Sequence, residues 1–252
     1  MSAKPSLSIE LNGVPSSLTE VFDSIADTVF FVKDAEGRYV DVNSTLVTRC
    51  GLSSKDALIG RRVDEVFVSP LGENYAEQDR RVLRGRRPIR SMLELHLYPS
   101  GQKDWCLTWK EPLFGDNGRV VGLAGLSRDL PPHLPVDREE LGGVARALDY
   151  VSGHMDEPLS PEMLAKLAHL SVYQLDKRLG EILGLTTAQY IIRTRIESAR
   201  YKLTRTSDPI SFIAHDCGYS DQSTFTRQFK RSVGITPNAY RKMYVRQRAP
   251  DE

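Results

Sequence analysis

Residues 213–241, IAHDCGYSDQSTFTRQFKRSVGITPNAYR, predict two helices joined by a tight turn. Gly218 supplies the left-handed backbone conformation that a sharp turn between helices needs. Ser220 is a favourable N-cap for the second helix. On that helix Phe225 and Phe229 lie four residues apart and share a face, so we expect both to be buried in a core.

The opposite face of this second helix carries polar side chains close to its N-terminus. These are Gln222, Ser223, Thr224, Arg227 and Lys230. Such side chains read base edges when a helix lies in the major groove of DNA. Arg227 is opposite the apolar face, and we therefore expect it to be exposed and functional rather than packed.

An earlier segment, residues 158–190, repeats this pattern in outline. Two sets of residues have counterparts, the first 49 and the second 50 positions later: Leu164, Ala165, Ala168, Leu170 and Ser171, then Leu175, Lys177, Leu179, Gly184, Thr186 and Tyr190. We call the second helix of each unit its recognition helix. The change of offset predicts one extra residue in the recognition helix of the second unit. Two helix-turn-helix units are expected, at about residues 161–183 and 209–233, joined by a long helix over residues 187–204.

Each helix of this region has its own start signal, which predicts an ordered all-α domain. The signals are Ser160-Pro161, Ser171 with Gln174, Thr186 with Gln189, Asp208-Pro209, Ser220 and Thr236-Pro237. In the first turn His169 stands where the second unit has Gly218. A residue with a side chain therefore has to adopt the left-handed conformation in that turn.

Charge is unevenly distributed along the 252 residues. The net charge is +1, but residues 1–165 hold 19 Lys and Arg against 25 Asp and Glu, whereas residues 166–248 hold 15 against 6. The length and this asymmetry predict two domains, with a polyanionic partner, most often nucleic acid, for the basic one. Solvated helix faces would give the same balance, so charge alone does not decide the function.

The chain is expected to be cytoplasmic and without a membrane segment. Cys50, Cys106 and Cys217 are odd in number, widely spaced and in apolar surroundings, which favours buried thiols over disulfides or a metal site. No apolar run at the N-terminus fits a signal peptide. The longest apolar stretch, around residues 120–126, is far below the ~20 residues of a membrane span.

The N-terminal half has an order of elements that predicts an α+β domain over residues 16–130, with a five-stranded antiparallel sheet and helices on one side. The predicted helices and strands are, in order, a helix at 18–25, strands at 28–33 and 38–42, short helices at 43–50 and 53–59, a longer helix at 73–84, and strands at 89–98, 103–113 and 119–127. Residues 1–15 are predicted to be irregular. The proline-rich residues 131–137 are predicted to be a linker.

This N-terminal half resembles a PAS sensor domain. The resemblance is carried by VFFVKDAEGRYVDVNSTL at residues 29–46, GLSSKDALIGR at 51–61 and VVGLAGLSRDL at 120–130. It implies a sheet whose helical side can hold a cofactor or a small ligand. It also implies dimerisation through a flanking helix, for which residues 18–25 are the candidate.

No cofactor is evident. The segment around Cys50, TRCGLS, does not match the cysteine segment of flavin-binding PAS domains, and the long helix has no histidine for haem. A lone strand histidine such as His96 is more often a surface or satisfied side chain than an iron ligand. Trp105, Leu107 and Trp109 share one strand face and are expected to pack against the helices rather than line a pocket. The domain is therefore either a small-molecule sensor or a protein-interaction platform that binds no ligand.

Residues 138–248 resemble the DNA-binding domain of the AraC/XylS family of bacterial transcription regulators. The matching pattern, in residues 213–241, is Ile-Ala, Gly-Tyr, Phe-x-Arg-x-Phe-Lys, Gly-x-Thr-Pro and Tyr-Arg. The resemblance implies base contacts from Gln222, Ser223, Thr224 and Arg227, and from Tyr173, Asp176 and Lys177. It implies phosphate contacts from Arg178, Lys230, Arg231 and Arg241.

Asp176 does not fit well among the side chains expected to face the DNA groove, because its carboxylate would repel phosphate. It could accept a hydrogen bond from a cytosine amine, or form a salt bridge with a neighbouring Arg or Lys. Together the two resemblances predict a transcription regulator that binds double-stranded DNA as a homodimer and is controlled by or dimerised through its PAS domain. The control is expected to come either from a small-molecule effector that changes contacts with DNA or RNA polymerase, or from a PAS domain that binds no ligand and serves as a protein-interaction platform. An enzyme is not expected, because the chain has no GxSxG, HExxH, glycine-rich phosphate loop or Cys/His cluster.

Overall fold

The structure is a computed structural model that describes residues 17–67, 69–101, 103–115, 118–131 and 138–246. The chain divides into two compact units, Met1–His133 and Leu134–Glu252. The predictions for residues 1–15 and for residues 132–137 of the linker lie outside the described residues.

The N-terminal unit has the predicted α+β fold, a five-stranded antiparallel sheet with strand order β2-β1-β5-β4-β3. Its strands are β1 Thr28–Asp34, β2 Tyr39–Val42, β3 Ile89–Leu97, β4 Lys103–Phe114 and β5 Val120–Asp129. Its helices are α1 Ser17–Asp23, α2 Ser44–Arg49, α3 Val63–Val66 and α4 Leu71–Gly85. The five predicted strands and the long helix are confirmed to within a few residues.

Two short helical segments differ from the prediction. Residues 53–59 form only a single 3-10 turn, Lys55–Ala57, whose N-cap Ser54 makes no side-chain capping bond. The helix α3 was not predicted, because four residues are too few to show a helical period. Glu65 caps it by accepting a hydrogen bond from the backbone N–H of Arg62.

The core of this unit lies between the sheet and the helices, where Val29 and Phe31 of β1 meet residues of α2, α3 and α4. On β4, Lys110 faces this side, because its ammonium bonds Asp79 of α4. Successive side chains of a strand point to opposite faces of the sheet, so the face opposite Lys110 carries Trp105, Leu107 and Trp109. The prediction that these three pack against the helices was wrong.

The outer face of the sheet is partly covered by α1. The ring of Phe22 stacks on the ring of Phe30 in β1, with centroids 4.3 Å apart. The Asn43 side chain fixes this corner, since its amide donates to the Thr28 carbonyl at 2.7 Å while its oxygen accepts from the Phe30 N–H at 3.0 Å.

The C-terminal unit is all-α in its described residues. Its helices are α5 Arg138–Gly153, α6 Pro161–Ala168, α7 Val172–Leu183, α8 Thr187–Arg205, α9 Ile210–Asp216, α10 Gln222–Val233 and α11 Pro237–Arg246. The predicted pair of helix-turn-helix units is therefore present as α6–α7 and α9–α10, with α8 between them. Both recognition helices pack against α8, and α10 does so through a core that includes Ile196, Phe225 and Phe229.

Most predicted caps are confirmed, including the reciprocal capping boxes of Ser171 with Gln174 and Thr186 with Gln189. Two are wrong. The N-cap of α10 is Asp221, whose carboxylate accepts from the Thr224 N–H at 2.7 Å, and not Ser220. The N-cap position of α9 falls on Pro209 rather than Asp208.

The extra residue of the second unit lies in its turn and not in its recognition helix. Both α7 and α10 have 12 residues, and their N-caps, Ser171 and Asp221, are 50 positions apart. The helices that precede them correspond at an offset of 49, with His169 and Gly218 both in the left-handed conformation. Since Asp221 and not Ser220 starts α10, Ser220 belongs to the lengthened turn.

In the part of the chain that the structure describes, no helix is both long and apolar enough to cross a bilayer.

Candidate nucleic-acid interface

The two recognition helices each divide into a buried apolar face and an exposed polar face. On α10, Phe225 and Phe229 are fully buried, as predicted, whereas Arg227 and Lys230 are exposed. Gln222 and Ser223 are exposed in its first turn, and Thr224 is half-buried.

The same division holds for α7. Leu175 and Leu179 are buried, and Lys177, the counterpart of Arg227, is exposed. Tyr173 leaves 76 % of its surface exposed, although an aromatic side chain usually finds a packing partner in a monomer. An exposed aromatic residue beside an exposed lysine is suited to contact with another molecule.

The turn before α10 requires glycine for two reasons. Gly218 has φ +77°, and a Cβ there would lie 2.0 Å from the Met155 carbonyl oxygen. The first turn meets the same backbone requirement with His169, at φ 59° and ψ 37°. Both left-handed conformations agree with the prediction from the sequence.

The first turn of α10 forms a chain of side-chain hydrogen bonds. The Thr224 hydroxyl donates to the Asp221 carboxylate at 2.8 Å and accepts from the Arg227 guanidinium at 3.3 Å. The hydrogen bonds from the backbone N–H and the hydroxyl of Thr224 lower the pKa of the Asp221 carboxyl, so it is ionised at neutral pH. This series of hydrogen bonds orients the Arg227 side chain along the exposed face of α10.

Three of the cations predicted to contact DNA are exposed and uncommitted. Within the described residues, Lys177, Lys230 and Arg231 have neither a hydrogen-bond partner nor an ion-pair partner for their side chains. Two of them belong to the predicted phosphate-binding set and one to the predicted base-reading set.

Three other predicted contact residues are engaged inside the unit. Asp176 accepts from the backbone N–H and hydroxyl of Thr187, at 2.7 and 2.6 Å, and so caps the start of α8. Arg178 forms ion pairs with Glu140 of α5 and Glu181, and its side chain is only 14 % exposed. The resemblance implied a base contact for Asp176 and a phosphate contact for Arg178, and both side chains have partners within the unit.

Arg241, predicted as a phosphate contact, also faces inwards in part. Its Nη2 donates to the Asp208 carbonyl at 2.6 Å, and its Nε is buried. The contact joins α11 to the loop before α9. Helical spacing does not distinguish an arginine that faces solvent from one that reaches a neighbouring element.

Arg195, which was not predicted as a functional residue, joins the first half of the unit to the second. From α8 it donates to the carbonyls of Met155 and Glu157, at 3.2 and 2.7 Å. Its guanidinium also lies 5.8 Å from the ring centroid of Tyr219, beside the second turn. Burial lowers the pKa of Arg195, and the charge is retained because arginine stays protonated at any physiological pH. No local pattern marks such a bridging residue.

His96, the strand histidine of the N-terminal unit, is a satisfied side chain, as predicted. Its Nδ1 lies 2.8 Å from the Tyr98 hydroxyl and its Nε2 lies 3.0 Å from the Glu94 carboxylate. The predicted buried thiols are also confirmed, because Cys50, Cys106 and Cys217 are all buried as thiols.

Comparison with known proteins agrees with both units. A family profile described as a helix-turn-helix domain matches residues 164–243, and one described as a PAS fold matches residues 22–131. The regulatory protein SoxS of Salmonella typhimurium is 34% identical over 94 residues, which is 37% of this chain and 88% of SoxS. The probable transcriptional regulator LumQ of Photobacterium leiognathi is 30% identical over 92 residues, 36% of this chain and 37% of LumQ.

The match therefore spans little more than a third of LumQ but most of SoxS. Among solved structures, an AraC-type transcriptional regulator from Chromobacterium violaceum is 26% identical with a TM-score of 0.39, covering 43% of this chain and 96% of that one.

An antiparallel α+β PAS fold followed by two helix-turn-helix units defines a PAS-containing DNA-binding regulator. The chain belongs to the AraC family of transcription regulators.

Proposed function

We propose that the protein regulates transcription by reading a specific DNA sequence with α7 and α10, one helix in each of two successive major grooves. The observation that carries the proposal is the pair of 12-residue helices, each with one buried and one polar face. The 19 residues of α8 make it about 28 Å long at the rise of an α-helix. That length is close to the ~34 Å of one DNA turn.

Base contacts are assigned to the exposed polar side chains of the two helices, and phosphate contacts to the uncommitted cations at the end of α10. The base-reading residues are Tyr173, Lys177, Gln222, Ser223 and Arg227, with Thr224 orienting Arg227. The phosphate-binding residues are Lys230 and Arg231. Asp176, Arg178 and Arg241 act instead by holding the unit together.

The PAS unit is proposed to control this activity in the cytoplasm, through homodimerisation, a small-molecule effector, or both, and so to change contacts with DNA or RNA polymerase. Apolar side chains at α1 support a dimer, because Val21 is 55% and Ile25 is 42% exposed. An exposed apolar surface of this kind also suits an interaction platform that binds no ligand. Retention of a small molecule by the purified protein would favour the sensor.

Selection from a random DNA library by the full-length protein tests sequence reading. We expect one enriched site with two conserved segments whose centres lie about 10 base pairs apart. Enrichment of no sequence over the starting library would contradict the proposal.

Lys230→Ala tests the phosphate assignment on the selected site. We expect weaker binding to selected and random DNA alike, and a salt dependence of log K reduced by about one, because one phosphate contact is lost. Fluorescence anisotropy across a series of KCl concentrations measures both. Lys166→Ala, an exposed lysine on α6, is the matched control. A loss confined to the selected site would make Lys230 a base contact.

A further inference from the structure

Arg195 lies in the middle of α8, the helix that joins the two helix-turn-helix units. Its Nε donates to the Met155 carbonyl at 3.2 Å, and its Nη2 donates to the Glu157 carbonyl at 2.7 Å. Both carbonyls belong to residues 154–160, here called the connection, which join α5 to α6. A side chain of the joining helix is therefore attached to the first half of the unit, α5–α7.

The connection that accepts these hydrogen bonds is ordered against α5. The Glu157 N–H donates to the His154 carbonyl at 3.1 Å, and the Glu157 carboxylate accepts from the Tyr150 hydroxyl at 3.1 Å. The rings of Tyr150 and His154 stack with centroids 3.9 Å apart. The ion pair of Glu140 with Arg178 ties α5 in turn to the recognition helix α7. The connection is thus held in place relative to the first recognition helix.

The turn before α10 meets the same guanidinium group. A Cβ on Gly218 would lie 2.5 Å from the Arg195 Nη2 and 2.0 Å from the Met155 carbonyl oxygen, so the backbone of the turn packs directly on both. The guanidinium carbon also lies 5.8 Å from the Tyr219 ring centroid, and that ring packs on Phe225 of α10 with centroids 5.2 Å apart. One side chain of α8 therefore contacts the parts of the unit that hold each recognition helix.

Arginine suits this junction because its donors have a fixed geometry. The Nε–H and an Nη2–H lie in one plane, so they hold two carbonyl oxygens at a set separation, which a single lysine ammonium does not do. A charged donor also makes stronger hydrogen bonds than a neutral one. The contacts of Arg195 therefore resist bending and twisting between the first half of the unit and its second half, α9–α11.

We propose that Arg195 is a positioning residue that sets the distance and angle between α7 and α10, and thereby the number of base pairs between the two DNA segments that the protein reads. The inference rests on the proposed function and deepens it, because it adds specificity for spacing to specificity for bases. Each base pair advances the groove by about 3.4 Å and turns it by roughly 35°. Two recognition helices held in one arrangement therefore match one spacing.

A series of DNA sites with altered spacing tests the proposal in the full-length protein. One base pair is inserted or deleted between the two segments of the site selected from the random library, and affinities are measured by fluorescence anisotropy. For the wild type we expect each change to weaken binding about tenfold or more, the equivalent of one lost base contact. For Arg195→Met, which removes the donors but keeps an unbranched side chain, we expect the ratio of the affinities for original and altered spacing to fall towards one.

This ratio separates positioning from a general loss of stability. Partial unfolding lowers the concentration of active protein equally for both DNAs, so it leaves the ratio unchanged. Arg195→Lys keeps the charge and can bond one of the two carbonyls, so we expect an intermediate ratio. The lysine variant also serves as the test if Arg195→Met does not fold.

Arg200→Met is the matched control, because Arg200 is a second arginine of α8 beside a tyrosine ring. Its guanidinium carbon lies 5.7 Å from the ring centroid of Tyr240, and its Nε donates to the Tyr240 hydroxyl at 3.0 Å. Tyr240 belongs to α11, so this contact lies on the side of the second half alone. We expect Arg200→Met to keep the wild-type ratio.

Spin labels measure the same arrangement without DNA. Gly180→Cys on α7 and Ser232→Cys on α10 introduce labelling sites at exposed positions outside the base-reading set, and the three native thiols are buried. Labelled protein is diluted in unlabelled protein, so that double electron-electron resonance reports distances within one chain. We expect a narrow distance distribution for the wild type and for Arg200→Met, and a broader or shifted one for Arg195→Met.

Wild-type spacing ratios in both Arg195 variants would overturn the proposal, as would a ratio that falls as far in Arg200→Met as in Arg195→Met. If the wild-type protein selects no DNA sequence, the proposed function fails, and the label distances then test the role of Arg195 by itself. A wild-type distance distribution in both Arg195 variants would refute that role.

Discussion

The Arg227 side chain is already ordered in the free protein, in a position suited to contact DNA. It is exposed on α10, and its guanidinium is held by Thr224, which is held in turn by Asp221. Ordering in the free protein reduces the conformational entropy that binding would otherwise cost. Asp176 and Arg178 are also ordered in the free protein, but their hydrogen bonds within the unit would have to be broken before either side chain could contact DNA.

Arg227→Ala is expected to cost about 1–3 kcal/mol of binding free energy on the selected site and to relax the preference at one base pair. The reason is the loss of a hydrogen-bonding side chain that reads a base edge. Competition binding against single-base variants of the site measures the effect. Arg193→Ala, an exposed arginine paired with Glu197 on α8, is the control. An equal loss on all sequences would make Arg227 a phosphate contact.

Asp176→Ala is expected to destabilise the C-terminal unit by about 1–3 kcal/mol, because the Thr187 N–H and hydroxyl lose their acceptor. The base preference of the folded protein should stay unchanged. Urea unfolding followed by far-UV circular dichroism measures the stability. Asp149→Ala, an exposed aspartate on α5, is the control. A changed base preference with unchanged stability would restore Asp176 as a reading residue.

The two helix-turn-helix units show how the same element is built from different residues. Their recognition helices are equal in length, but their turns use His169 and Gly218 and differ by one residue. The second turn is more constrained, because Met155 and Arg195 approach Gly218 closely. The reach of Arg195 from α8 to the connection before α6 therefore links the second turn to the first half of the unit.

Gly218→Ala is expected to destabilise the unit by well over the ~1–2 kcal/mol that a left-handed conformation costs an ordinary residue. The new Cβ would lie 2.0 Å from a backbone oxygen, so the backbone has to move. Gly234→Ala is the matched control, since φ is +91° but nothing lies within 4 Å of its Cβ position. Thermal unfolding of both variants compares them. Equal losses would show that backbone conformation alone explains Gly218.

The chain combines two units with separate cores. The N-terminal unit buries an ionic network, whereas the C-terminal unit has uncommitted cations on its surface. The two units should therefore respond differently to pH. Both tryptophans belong to the N-terminal unit, so its response can be followed by itself in the full chain.

Acid is expected to destabilise the N-terminal unit through Glu94. Burial by itself raises the pKa of this carboxyl, but the charge and hydrogen bond of His96 outweigh it and lower the pKa to about 2. Because the folded pKa lies below the unfolded value, the stabilisation is complete above pH 4.5 and is lost as the pH falls towards 2.

Glu94→Gln should lower the stability at pH 7 by about 1–3 kcal/mol and flatten its pH dependence between 4.5 and 2. Urea unfolding followed by tryptophan fluorescence measures both. Glu36→Gln, in the turn between β1 and β2, is the control. An unchanged pH profile would show that Glu94 has the same pKa in the folded and unfolded states.

Features that depend on neighbours along the chain could be predicted from the amino-acid sequence. The spacing of Phe225 and Phe229 placed the apolar face of α10, the capping residues placed most helix starts, and the repeat revealed the second unit. Strand and turn patterns likewise predicted the order of the sheet elements. These features depend on residues within a few positions of one another, where helical and strand geometry is regular.

Which polar side chains are available to other molecules could not be predicted, because it depends on contacts between elements that are distant in the sequence. Arg178 pairs with Glu140, Asp176 with Thr187, Arg241 with Asp208, and Lys33 with Asp79, so each partner is supplied by another part of the chain. A periodic pattern shows that a charged residue avoids the apolar face of its own helix or strand. It does not show whether solvent or a distant partner meets the charge, because that depends on how the elements pack.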